Sequence, residues 1–193
     1  MSKLMVYMAD IQGTVQWPSP IRYTIEDLFK EVIQSSSYFT SVKVEWSSQE
    51  PTLGTYDLLV YFVDSKSDSV IVKGKRSSIG NLGDTGTTNI GGKSVSSEVY
   101  LAGHQDEPVG LGKLAFHELM HNICLMKDEL HSKKLGLSMG AEEINSGTKL
   151  NANDIALLVK NLKKERAQWK DGYKYKPPPK KKYAPGDPAE GLF

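Results

Sequence analysis

The chain has 193 residues, of which 39% are hydrophobic and 24% charged, which suits one soluble globular domain with a real core. Its single cysteine, Cys124, excludes an intrachain disulfide, and no apolar run approaches the length of a membrane span. The net charge of +1 is unevenly spread: residues 163–193 carry nine Lys/Arg against four Asp/Glu, so the rest of the chain is mildly acidic. The opening segment is too short, and too soon interrupted by Asp10, to be a signal peptide. The expectation is therefore synthesis in the cytoplasm, with export by a signal-peptide-independent route left open.

Leu4 to Ile11 reads as a first strand, followed by a loop marked by Gly13, Pro18 and Pro20. A helix is predicted from about Thr24 as N-cap, with Ile25, Leu28, Phe29, Val32 and Ile33 as its apolar stripe. Val42–Trp46 alternates as a half-buried strand, and the apolar run Asp57–Val63 reads as a central one. Val70–Val72 is a candidate short strand. Residues 74–97, rich in Gly, Ser and Thr, read as a long loop in which Asp84 is a weak cation candidate. Val95 to Leu101 reads as a further strand. Next comes a helix from about Pro108, with acidic Asp106 and Glu107 at its positive end. Val109, Leu111, Leu114, Ala115, Leu119 and Ile123 give that helix one buried side. A last helix is predicted from Asn151 or Asn153 to about Lys170. Beyond Gly172 the chain is basic and proline-rich. A solvated tail and a contact for nucleic acid, membrane surface or an acidic partner both fit that composition.

Within the second predicted helix stands His117-Glu118-Leu119-Met120-His121. Residues i and i+4 lie one turn apart on one helix face, so two imidazoles spaced this way can hold one zinc ion. The adjacent Glu118 then stands where it can act as general base toward water, and peptide hydrolysis is the expected chemistry. A polar patch on an amphipathic helix is the plainer alternative. Against it, all four histidines (His104, His117, His121 and His131) fall within fewer than thirty residues.

A catalytic zinc site needs a third protein ligand. Asp128 would lie about 10 Å along the axis of a continuing helix, so it can serve only if the helix breaks first. His131 must lie past the helix end, within easy reach of a returning chain. Glu142 and Glu143, some twenty residues on, are a further source. Cys124 reads as a small buried hydrophobe.

At this point the sequence resembles the metzincin zinc peptidases, whose motif is H-E-x-x-H-x-x-G-x-x-H or -D, followed by a methionine turn and a closing helix. His131-Ser-Lys-Lys-Leu-Gly136-Leu-Ser-Met139 matches the matrixin-like spacing from third ligand to methionine, and Asn151 onward resembles the start of the closing helix. The resemblance covers about residues 1 to 165. The family's glycine falls at Cys124 and its third ligand at Lys127, which implies about one extra helical turn, with four residues inserted before His131. It implies an α+β domain in which a twisted, mostly parallel or mixed sheet of four to five strands packs with three main helices, one carrying the motif. It also implies zinc on His117, His121 and His131 (Asp128 in reserve), Met139 as an apolar floor, and an extended substrate paired with an edge strand near Val95–Leu101. No Tyr follows Met139; His104 or a tail tyrosine are candidates to steady the tetrahedral intermediate.

The sequence thus points to a zinc metalloendopeptidase over residues 1–170, with a basic tail at 171–193. Protein or peptide substrates are expected, with nucleic acid not expected and a monomer assumed. An exported bacterial effector toxin held in check by an inhibitor or immunity protein is one form of this reading. The alternatives are a peptidase of the thermolysin-like clan, with a Glu as third ligand, and a non-catalytic binding module acting through the tail.

Overall fold

Leu58–Val63 forms strand β3, six residues buried on both faces of a sheet. Alternation sends Leu58, Val60 and Phe62 into the main core and Leu59, Tyr61 and Val63 into a smaller cluster on the other face, with Ala9 and Tyr100. The computed structural model describes residues 2–10, 12–69, 85–91, 94–133 and 136–165. Around β3 stand β1 (Ser2–Ala9), β2 (Phe39–Ser47), β4 (Gly86–Gly91) and β5 (Ser94–Tyr100), in the order β2-β1-β3-β5-β4. All neighbours are parallel except β4, which runs antiparallel to β5. Three helices complete an α+β architecture: α1 (Pro18–Gln34), α2 (Pro108–Cys124) and α3 (Ala152–Asn161). Among the described residues, no helix is long and apolar enough to cross a membrane.

The helices gather on the main-core face. Ile21, Ile25, Leu28, Phe29 and Val32 of α1 recur at helical spacing and are buried. Phe29 meets Phe116 of α2 with ring centroids 4.7 Å apart. The indole N–H of Trp46 on β2 donates to the Pro18 carbonyl at 2.9 Å and ties the start of α1 to the sheet. The Asp10 carboxylate accepts the N–H groups of Gly13, Thr14 and Val15 just after β1. Gln105 then hydrogen-bonds this loop at Thr14 and Gln16, joining it to the approach to α2.

The structure corrects several sequence expectations. Helix α1 begins at Pro18, six residues before Thr24, because a helix's first turn needs neither the N–H nor the φ freedom that proline lacks. Thr24 is not a cap; its hydroxyl donates to the Pro20 carbonyl inside the helix. The stretch read as loop contains β4, made by cross-strand pairing from Gly86↔Val99 to Gly91↔Ser94 rather than by local propensity. Among the described strands, β5 is therefore interior and β4 is the edge. Helix α3 stops at Asn161, not near Lys170. Val70–Val72, Asp84 and the basic tail lie outside the described residues.

Helix α2 is buried around most of its circumference, not along one side, although Val109 near its start is 39% exposed. It lies against α1, α3 and three strands at once. The approach to α1 is close at Gly112, where a Cβ would stand 2.8 Å from the Thr24 Cβ and 3.1 Å from the Ile21 carbonyl. Gly112→Val is therefore expected to force the two helices apart and cost about 1–3 kcal/mol. The check is a lower urea midpoint at unchanged slope.

Candidate metal centre

His117 and His121 sit on the buried α2, with His117 fully buried and His121 7% exposed. The helix then stops. Leu125 takes up a left-handed conformation, φ 53° and ψ 41°, and its N–H returns to the His121 carbonyl. No extra helical turn is added. The residues beyond the metzincin spacing instead lie in the following loop and in a short 3-10 segment, Asp128–Lys133. Leu130, fully buried, pins that segment beside His131.

The three rings converge. His121 Nε2 lies 3.1 Å from His117 Nε2 and 3.0 Å from His131 Nε2, and one ligand atom from each ring falls within 4.8 Å of the others. The 3.0–3.1 Å spacings are close to the roughly 3.3 Å edge of a tetrahedral zinc site with nitrogen ligands. The ring tautomers follow from the other nitrogens. His117 Nδ1 donates to the Leu137 carbonyl at 2.7 Å, and His121 Nδ1 donates to the Met126 carbonyl at 2.9 Å. A carbonyl only accepts, so each proton sits on Nδ1 and each Nε2 presents a bare lone pair. Burial pushes the His117 pKa down to about 3 and that of His121 to about 4, so neither ring gains a second proton near neutrality. Two lone pairs 3.1 Å apart in a dry site repel each other, and a cation between them relieves the repulsion. The donor set, three imidazoles of which two have carbonyl-fixed tautomers, fits a metal ion such as zinc.

Glu118 lies on the neighbouring helix face and is 3% exposed. The Thr88 hydroxyl of β4 donates to its carboxylate Oε2 at 2.8 Å, and the Ser97 hydroxyl of β5 donates to its main-chain carbonyl at 2.9 Å. Burial pushes the Glu118 carboxyl up to about 8; the Thr88 hydrogen bond acts against this and the charge of Glu98 adds to it. Glu98 is itself buried on β5, bonded to the Ser69 hydroxyl and, at 3.0 Å, to the Tyr100 hydroxyl.

Among the described residues, the group able to share an ion is His117, His121 and His131. Asp128 is exposed at the start of its 3-10 segment and stands outside that group, as do the exposed Glu142 and Glu143 and the half-buried His104. Cys124 is buried, as expected of a small hydrophobe. Met139 is half-buried and, with Gly136, Asn145 and the stretch 147–153, lines a pocket of about 790 Å³.

One participant was not anticipated from sequence. Asp154 closes a capping box with Asn151 at the start of α3, and its Oδ2 also accepts the Leu137 N–H at 3.0 Å. The Leu137 carbonyl in turn accepts a hydrogen bond from His117 Nδ1, so the fully buried Asp154 reaches the cluster through Leu137. Gly136, at φ 65°, leaves the space that Asp154 and Asn151 fill. The Asn-x-x-Asp spacing signals the cap but says nothing of the link to Leu137.

Comparison with family models, curated proteins and solved structures returns no match to this chain. Residues and geometry therefore carry the assignment. Asp154→Ala is expected to loosen the Leu137 carbonyl that orients His117 and so to weaken the cluster's affinity for added zinc about 10–100-fold. Asp154→Asn, which keeps an acceptor, should weaken it less. Competition with a chromophoric chelator measures both.

Proposed function

We propose that the protein is a metal-dependent peptidase, with His117, His121 and His131 as the metal ligands and Glu118 as the general base. The observation that carries this reading is the pair of facing Nε2 lone pairs whose tautomers are fixed by Leu137 and Met126. When bound there, a zinc ion supplies Lewis-acid polarisation and lowers the pKa of water. Glu118 takes a proton from the attacking water and returns it to the leaving amine. Its burial supports this role, because a carboxyl pushed up to about 8 holds a proton firmly enough to carry it from the water to the leaving amine. Strand β4, outermost among the described strands, would offer backbone groups to an extended peptide, in place of the β5 stretch first expected to do so. Met139, two residues beyond Leu137, is the proposed apolar floor of the site.

Elemental analysis is the first test. Wild type should carry about one zinc per chain, His131→Ala should lose most of it, and Asp128→Ala should keep it. A wild type that binds no zinc when supplied with it overturns the metal site.

The second test separates metal binding from catalysis. Glu118→Gln should retain zinc yet lower the cleavage of a fluorogenic peptide pool by about 10²–10⁴-fold, the usual contribution of a general base. Equal rates for the variant and wild type would remove Glu118 from the mechanism.

A further inference from the structure

The edge strand β4 does more than close the sheet. Gly86 and Thr88, two residues apart and so on one face of the strand, both meet Glu118. A Cβ on Gly86 would lie 2.9 Å from Glu118 Oε1 and 2.8 Å from the Glu98 carbonyl, so Glu118 rests where only glycine leaves room. Two residues on, the Thr88 hydroxyl lies 2.8 Å from both Glu118 Oε2 and the Glu118 carbonyl oxygen, and 3.0 Å from the Ser97 hydroxyl that it faces across the ladder. The Ser97 hydroxyl reaches the same Glu118 carbonyl. One hydroxyl, placed by strand register, therefore stands at hydrogen-bond distance from both the main-chain and the side-chain oxygen of the residue between the two helical histidines, and with the Ser97 hydroxyl already on the carbonyl its single proton is available to the carboxylate.

We infer that Thr88 is a positioning residue. Its hydroxyl sets the rotamer of the Glu118 carboxyl, and Gly86 leaves the space that this rotamer occupies. The inference rests on the peptidase reading for its effect on rate, but not for the contact itself. A glutamate side chain has three rotatable bonds, and a buried one without a partner adopts whichever rotamer packs best. A carboxyl that must meet a water beside the histidine cluster cannot be left to that choice. Thr88→Val keeps the branched shape that suits a strand and removes only the hydroxyl. Thr88→Ser keeps the hydroxyl and removes only a methyl group.

The experiment compares wild type, Thr88→Val, Thr88→Ser and Gly86→Ala with three readouts. Zinc per chain should be equal in wild type and both Thr88 variants, because none of the three ligands touches Thr88. On a fluorogenic peptide cleaved by wild type, Thr88→Val should lower kcat at least ~10-fold with KM within ~3-fold, the pattern of an interaction used in the transition state. Thr88→Ser should return kcat to within ~3-fold of wild type, and Gly86→Ala should behave like Thr88→Val.

The third readout needs neither metal nor activity. In metal-free protein labelled with ¹³C at the glutamate carboxyls, the Glu118 resonance is assigned by its loss in Glu118→Gln. It should move in Thr88→Val and stay near the wild-type position in Thr88→Ser. A Glu118 resonance unchanged by Thr88→Val overturns the positioning role, whether or not any peptide is cleaved. A resonance that moves while kcat holds also overturns it, because the hydroxyl would then touch Glu118 without serving the reaction. A resonance that moves in a protein that cleaves no peptide supports the contact and counts against the peptidase reading alone.

Discussion

Two backbone carbonyls govern this molecule's chemistry. The oxygens of Leu137 and Met126 each accept a hydrogen bond from an imidazole Nδ1–H and so leave the opposite nitrogens of His117 and His121 facing one another as lone pairs. Such an arrangement is unfavourable in a dry protein interior unless something positive sits between them. Much of the surrounding structure holds those two carbonyls still. The left-handed turn at Leu125 brings Met126 back under His121, and the cap of α3 grips Leu137 through Asp154.

The sheet contributes in a different way. Its parallel core, with β3 buried on both faces, is a rigid base on which α2 lies almost wholly covered. A helix used only to display a polar patch would keep one face in water, whereas here even the glutamate between the histidines is nearly sealed. Burial has a physical price: it raises the Glu118 carboxyl pKa and lowers those of the two imidazoles. These opposite shifts leave the two imidazoles neutral beside a carboxyl pushed up to about 8.

The parts of the site that side-chain identity specifies were legible in the sequence. The i, i+4 pair at His117 and His121 and the eight-residue step from His131 to Met139 are patterns of residue type, and the structure brings all three histidines together. The α+β class and the central strand at Leu58–Val63 were readable for the same reason. What escaped was specified by backbone or by long-range pairing. Strand β4 is Gly-Thr-Thr-Asn-Ile-Gly, a composition that reads as loop until β5 is laid beside it. Pro18 and Pro20 look like breakers although they open a helix. Leu125 adopts a conformation usually left to glycine, so the helix stop carried no marker in the sequence. The carbonyls of Met126 and Leu137 have no residue signature at all, and Thr88 reaches Glu118 only because of strand register.

The geometry of the histidine cluster also bears on how the chain is cross-linked. His117 and His131 are fourteen positions apart, joined by the last turns of α2, a short connection and the 3-10 segment. An ion shared by the two rings would close that stretch as a covalent bridge does. In the chain-entropy picture, a bridge across about 15 residues is worth about 3 kcal/mol. A chain with a single cysteine cannot make such a staple from sulfur. In this fold, the histidine cluster is where chelation would take the place of a disulfide, joining the end of the central helix to the stretch of chain that leads into α3.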